Sequence, residues 1–261
     1  MPDLVDSHCH LNFSELGPQC DDVVVRARNA GVRRMVSIST TMDEFEAVKA
    51  TAHKYDEIYC SIGVHPHVAI EPIEVETLVD KASDPKVVGI GETGFDYFYD
   101  KSPREAQELC FRKHIRAAME TGLPLIVHTR DAEADTIRVI REETSNGASK
   151  LSGVIHCYSS RRVLAEEALE MGFYISLSGI LTFKNAQDIR DTVAQVPMDR
   201  LLVETDSPYL APVPYRGKPC EPAYVVETAK ALAVVKGVSF DEMAAATTRN
   251  FFTLFSKVRP L

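Results

Sequence analysis

Two imidazoles two positions apart, His8 and His10 in V-D-S-H-C-H-L (5–11), have the residue type and spacing of half a metal site. Side chains alternate faces along a strand, so at the end of a strand begun by Leu4 and Val5 both rings point the same way. An H-x-H alone is a weak motif, because a chain with eight histidines meets it readily by chance. Recurrence strengthens it: His65, Glu92, His128, His156 and Asp206 each stand at or just beyond the end of an apolar, strand-like run. Imidazoles and carboxylates without thiolate suit zinc, manganese, magnesium, nickel or iron, and the set is too nitrogen-rich for calcium.

These residues can act together only if the strands that carry them end on one rim. Strand patterns begin at Leu4 and recur at 34–39, 58–62, 87–90, 124–128, 153–156, 173–177 and 201–206. Between them lie helical patterns at 17–30, from an Asp43 cap to about Tyr55, after Pro72, at 103–121, after an Asp131 cap, at 163–171 and at 185–196. Strict alternation of strand and helix requires right-handed crossovers and a parallel sheet. Closed on itself, that sheet is an α/β fold of the (β/α)8 TIM barrel type, in which catalytic side chains gather at the C-terminal ends of the strands. An open doubly wound sheet is the alternative, but the glycine-rich phosphate turn expected after its first strand is replaced here by S-H-C-H. After strand eight come a proline-dense loop (207–222) and two apolar helices, 224–236 to complete the ring and 240–255 as an extra C-terminal helix. No repeat, linker or low-complexity tract interrupts the chain, so one domain is expected over 1–261.

Composition narrows the class. The chain has 261 residues, 45% hydrophobic and 26% charged, enough to bury one large core. It has no run of 18 apolar residues and no basic segment followed by an apolar one, so a cytoplasmic protein is expected, without membrane contact. The six scattered cysteines form no C-x-x-C pair and read as reduced thiols. Cys9 and Cys157 neighbour candidate ligands, but strand alternation should turn them into the core. His53 and His114, on helices, read as surface histidines. A net charge of −9 opposes a long electrostatic grip on duplex DNA. Divalent cations in a carboxylate-rich pocket would reverse the field where a phosphate must sit.

Four imidazoles and two carboxylates, His8, His10, Glu92, His128, His156 and Asp206, exceed the needs of one ion. Two cations about 3.5–4 Å apart, sharing a carboxylate and a water, would use them all. Strand four lies between the two flanks, so Glu92 is the expected bridge, with His8, His10 and Asp206 on one side and His128 and His156 on the other. Such a pair lowers the pKa of a shared water to give a nucleophile, and Asp206 is the expected proton acceptor, which makes Asp206 and Glu92 the candidate catalytic residues.

Taken as a set, V-D-S-H-C-H-L (5–11), G-V-H-P-H (63–67), G-E-T-G-F-D-Y (91–97), V-H-T-R-D-A (127–132), I-H-C-Y-S (155–159), S-L-S-G (176–179), V-E-T-D-S-P-Y-L-A-P (203–212) and R-G-K (216–218) closely resemble the TatD family of metal-dependent deoxyribonucleases. That family belongs to the amidohydrolase-like barrels. The resemblance runs nearly end to end and implies the same ligand partition. It also implies phosphodiester hydrolysis in DNA, often from the 3′ end of single strands, with DNA ends or single-stranded DNA as partner and a monomer with no obligate protein partner. The chain departs from the family pattern at Phe95, where Leu is usual, at Ser160, where Gly often follows, and at Cys220, where Asn is common.

Several further residues are expected around this centre. Glu204 shares a strand face with Asp206 and would reach a third ion or hydrogen-bond a ligand histidine. His65 has no evident place in either metal sphere; it would donate to a phosphate oxygen or to a loop carbonyl. Arg130, Arg216 and Lys218 are phosphate candidates. Tyr209 would stack on a nucleobase or pack within the proline-rich loop. A small-molecule amidohydrolase or lactonase using the same metals is the competing enzyme reading, although no Lys replaces Glu92 as the carbamylated bridge many such relatives use. A binding protein with a structural metal is the competing non-enzyme reading.

Overall fold

The computed structural model describes residues 2–70, 72–145 and 151–261. Apolar runs form eight parallel strands in chain order: β1 (Leu4–Cys9), β2 (Val32–Ser37), β3 (Ile58–Ile62), β4 (Val87–Asp96), β5 (Leu125–Arg130), β6 (Gly153–Ile155), β7 (Tyr174–Leu177) and β8 (Leu201–Val203). Each pairs with its sequence neighbours, and the ends of the row meet: Asp206 N–H donates to the His8 carbonyl at 2.9 Å and His10 N–H to the Ser207 carbonyl at 2.8 Å. The alternation therefore gives the (β/α)8 TIM barrel expected from the sequence.

Helices α1 (Cys20–Asn29), α2 (Met42–Lys54), α3 (Val75–Ala82), α4 (Arg104–Thr121), α5 (Glu133–Thr144), α6 (Arg162–Glu170), α7 (Gln187–Gln195) and α8 (Val225–Lys236) follow the strands. Their apolar stripes and the outward faces of the strands share one large core, in which Phe45, Phe111 and Leu232 are fully buried. A second cluster fills the barrel interior with Val5, Val36, Ile38, Tyr59, Val88, Ile126, Val154, Tyr174 and Leu202, most of them from the first half of a strand. The last helix, α9 (Phe240–Leu254), contributes Phe251 and Leu254 to this inner cluster, and Phe255 and Val258 follow. The extra helix expected from the sequence is thus the plug of the lower end. Removing each such side chain from water contributes on the order of 1.5–3 kcal/mol. With the lower end packed, the opposite rim is where polar groups can converge.

Helix starts differ from expectation in three places. The cap of α2 is Thr41, whose hydroxyl accepts from Glu44 N–H at 3.1 Å, while Asp43 sits inside the first turn, where its charge favours the helix dipole. Helix α3 begins at Val75 with Glu74 as its flanking residue, so Pro72 lies outside it. Asp131 adopts a positive φ of 54° and α5 starts after Ala132, so Asp131 shapes the preceding turn and does not cap. At α2 the nearby Thr41 and Asp43 both have capping chemistry, while α3 and α5 start at residues that make no side-chain cap, so no local signal marks their first turn.

His114 is the larger correction. It is fully buried on α4. Its Nδ1–H donates to the Cys110 carbonyl at 2.8 Å and its Nε2 accepts from Val64 N–H at 3.0 Å. The ring pins the loop after β3 to the helix, and burial lowers its pKa to about 4, so it is neutral. His53 is on the surface as expected, paired with Asp84 at 3.0 Å. Among the described residues no helix is long and apolar enough to cross a membrane.

Candidate metal centre

Glu92 stands at the middle of the upper rim because β4 is longer than its apolar run. The strand continues through G-E-T-G-F-D to Asp96, and its pairing with β5 is irregular between Ile90 and Thr93, a bulge that turns Glu92 into the mouth. The flanking glycines allow this. Gly91 has φ of +131° and a Cβ there would lie 2.5 Å from the Ile126 carbonyl oxygen; Gly94 has φ of +136°, with the His128 oxygen 2.0 Å from such an atom. The close approach is that of β5 backbone, and no larger residue fits.

The two oxygens of Glu92 face opposite groups. Oε2 is 3.4 Å from His8 Nε2 and 3.9 Å from His10 Nε2. Oε1 is 2.8 Å from His156 Nε2, 2.9 Å from His128 Nδ1 and 3.4 Å from His65 Nε2. Asp206 completes the first group, with Oδ1 3.3 Å from His10 Nε2 and 3.7 Å from His8 Nε2. The rings of His8 and His156 stack at 3.9 Å, so the two groups adjoin. All six residues expected as ligands therefore converge. His65 is the addition: among the described residues it bonds to no loop carbonyl, its Nδ1 accepts from His67 N–H at 3.1 Å, and its Nε2 groups with Glu92 and His128.

Carboxylates stand behind two of the imidazoles. Asp96 Oδ2 accepts from His128 Nε2 at 3.1 Å and from His67 Nε2 at 2.9 Å, while its Oδ1 accepts from Tyr99 N–H at 2.9 Å. Glu204 Oε1 accepts from Cys157 N–H at 2.8 Å and lies 3.3 Å from His156 Nδ1, while its buried Oε2 has no partner among the described residues. Glu204 thus occupies the place expected of a carboxylate behind a ligand histidine, and it also groups with His8 and His156. Asp96 was missed because β4 was expected to end at Ile90, and His67, in the turn after β3, because its partner Asp96 was missed. Counting by twos from Glu92 would have put Asp96 on the same face.

Behind β1, Asp6 is buried and accepts from Thr205 N–H at 2.9 Å and Thr205 Oγ1–H at 2.6 Å. Burial pushes its carboxyl up to about 8 against these donors. Cys9 is in the core, Sγ against the Val36 carbonyl. Cys157 lies past the end of β6 with φ of 44°, so strand alternation does not govern it; its Sγ is 3.2 Å from Ser178 Oγ and it feels the charges of Asp206 and Glu204.

Electrostatics divides the set. Burial works against every charge here, yet the surrounding imidazoles, His156 foremost, hold Glu92 well below the usual carboxylate range, and His10 does the same for Asp206. Burial lowers His8, reinforced by the nearby His156, and takes His65 down to about 4. In His128 burial is outweighed by Asp96 and Glu92, and in His156 by Glu92 and Glu204, so both stand above the usual histidine range. The donor set fits divalent cations: His8 Nδ1 and Nε2 and His10 Nδ1 are buried with no hydrogen-bond partner among the described residues, beside two ionised carboxylates.

The substrate candidates scatter. The Arg130 guanidinium carbon sits 3.9 Å above the Phe98 ring and 4.9 Å from Tyr99. Arg216 stacks on Phe183 at 3.8 Å and, with Lys184, Asn185 and Val213, lines a cleft of about 470 Å³. Lys218 is exposed on the same turn. Tyr209 is half exposed, its ring 6.4 Å from His10 and 6.1 Å from Phe13, so it stands over the first group.

Comparison with known proteins agrees with this geometry. The family model described as TatD related DNase matches residues 5–256. The chain is 45% identical over 255 residues to the metal-dependent hydrolase YcfH of Escherichia coli (strain K12), covering 97% of this chain and 95% of that one. It is 31% identical over 260 residues to a 3'-5' ssDNA/RNA exonuclease, TatD, of Klebsiella pneumoniae (strain 342), covering 97% of each. Among solved structures, the TatD homologue YJJV of Escherichia coli K12 superposes with a TM-score of 0.87 at 27% identity, over 97% of this chain and 98% of that one.

Proposed function

Because the chain belongs to the TatD family of metal-dependent hydrolases, we propose that it hydrolyses phosphodiester bonds in DNA, from the 3′ end of single strands, using two divalent cations. The observation that carries this reading is the division of Glu92, one oxygen toward His8, His10 and the Asp206 side and the other toward His128 and His156. His8, His10, Glu92 and Asp206 would hold one ion, and Glu92, His128 and His156 the other. Bound cations there would acidify a water and neutralise the charge of a phosphate, chemistry suited to in-line displacement at phosphorus.

The protein's own groups supply the rest. Asp206 is ionised at neutral pH and, at 14% side-chain exposure against 3% for Glu92, is the carboxylate reached from the mouth; it accepts the proton of the attacking water. Glu92 stays buried and charged between the two groups. Asp96 and Glu204 hold the rings of His128 and His156 in the orientation that turns one nitrogen inward. The name carried by the Klebsiella relative supports single-stranded nucleic acid as the substrate.

Protein stripped with a chelator should lose cleavage of a 3′-labelled oligonucleotide and regain it with manganese, magnesium or zinc. A panel of amides and lactones, assayed alongside, should stay uncleaved. Undiminished oligonucleotide cleavage in chelator would overturn the mechanism, and faster turnover of an amide or lactone would overturn the substrate.

A further inference from the structure

We infer that Phe98, Tyr99 and Arg130 form a stacking platform for an unpaired nucleobase beside the metal centre, on the His128 side. The inference rests on the phosphodiesterase reading and adds to it a base-binding subsite.

The distribution of exposed aromatic side chains comes first. Among the described residues three are exposed, Phe98 at 56%, Tyr99 at 54% and Tyr209 at 52%, and all three lie on loops that follow strands, at the mouth of the barrel. An exposed aromatic ring loses free energy to water unless something covers it, and two consecutive ones on a rim mark a contact surface.

Charge points to the kind of partner. The chain as a whole is acidic, at −9, yet this corner gathers cations on its rings. The Arg130 guanidinium lies 3.9 Å from the Phe98 centroid and 4.9 Å from that of Tyr99, and Lys101 Nζ lies 5.6 Å from the Tyr99 centroid. The Phe98 and Tyr99 rings stand edge to face at 89° with the Arg130 guanidinium over Phe98, so they leave separate faces on which an unpaired base can stack, beside cationic charge that can pair with phosphates. A peptide or a second acidic copy of this chain gains little from such a surface.

Position ties the platform to the chemistry. Tyr99 N–H donates to Asp96 Oδ1 at 2.9 Å, and the other oxygen of Asp96 accepts from His128 at 3.1 Å. The Tyr99 ring meets that of His67 at 5.3 Å, and His67 meets His128 at 6.4 Å. The loop is thus fixed to the ligand it flanks, and a base held on it belongs to a nucleotide next to the bond presented to the metal centre. A base inside a duplex already has both faces stacked and a terminal pair is held by its partner strand, so such a platform favours unpaired bases and reads no sequence.

The test measures binding of metal-loaded wild type, Phe98→Ala, Tyr99→Ala and Phe98→Trp to a fluorescein-labelled phosphorothioate oligothymidine. The same strand built of abasic residues is the second ligand, and metal content is determined for each protein. The expected result is about a tenfold rise in Kd for each alanine variant on the base-bearing strand, with Phe98→Trp near wild type and metal content unchanged. Wild type should lose a similar factor on the abasic strand, where the alanine substitutions should cost nothing further. Wild-type affinity for the base-bearing strand in both alanine variants, or an equal loss on both strands, would overturn the platform while leaving the phosphodiesterase reading intact if wild type cleaves the oligonucleotide. Wild type that neither binds these strands nor cleaves an unmodified 3′-labelled oligonucleotide would overturn both.

Discussion

His8 and His10 at the end of β1 carry the same side chain as His128 on β5 and His156 just beyond β6, yet the two pairs are held by different means. His128 and His156 each have a carboxylate behind the ring, Asp96 and Glu204, and a second one, Glu92, in front. His8 and His10 have none behind: their Nδ1 atoms are buried without a partner among the described residues. What places them is the backbone bonding that closes β8 on β1, together with the Asp6 carboxyl group on Thr205. The protonation trend follows, with His128 and His156 raised and His8 lowered. One half of the centre is oriented by carboxylates before any ion arrives, and in the other, barrel closure sets the positions while ring stacking, His8 on His156 and His10 on Phe13, sets the planes.

The largest effect should come from the residue common to both halves. Glu92→Ala removes the charge between the two groups, so at least one equivalent of metal should be lost and cleavage should fall by about 10²-fold or more. His128→Ala, which touches one half, should keep partial occupancy and some activity at high metal. Elemental analysis with circular dichroism and oligonucleotide cleavage checks this; two retained equivalents and near-normal cleavage in Glu92→Ala would mean the halves share no bridge.

A smaller effect separates the halves. Among the six ligands Asp96→Ala takes the support from His128 alone, though it also frees His67 and Tyr99 N–H, and it should weaken one ion roughly 10- to 100-fold while the other stays bound. Competition with a chromogenic chelator reads the two affinities. Equal weakening of both ions would break the distinction between a half braced by side chains and one braced by backbone.

The smallest effect concerns His114, which steadies the loop carrying His65 through Val64. Its pKa is about 4 in the folded protein and near 6.5 when unfolded. As pH falls from 6.5 toward 4 the unfolded chain takes up a proton that the folded one refuses, so stability drops, by at most about 3 kcal/mol at the lower end. His114→Gln, which cannot titrate, should be less stable at pH 7 and lose less on acidification. Denaturant midpoints between pH 4 and 7 would show the difference, and parallel profiles would remove His114 from the bracing.

Much of this was open to a one-dimensional reading, because a barrel repeats one local rule. Alternating strand and helix patterns determine a parallel sheet, and a histidine or carboxylate at the end of an apolar run marks which residues meet at the rim, so His8, His10, Glu92, His128, His156 and Asp206 could be named together. What the chain order does not contain is how far a strand continues once its apolar run stops, or what a helix residue packs against. Asp96 was hidden because β4 passes through polar, glycine-flanked residues that resemble a loop until β5 pairs with them. His114 looked like a surface residue because only the packing of α4 against the loop after β3 buries it. Phe98 and Tyr99 differ from core aromatics only in what surrounds them, and the last helix becomes the barrel's plug only when Phe251 and Phe255 reach its interior. Ligand types follow from local periodicity; the carboxylates that orient them, and the surfaces left open, depend on contacts between segments far apart in the chain, which only the folded structure decides.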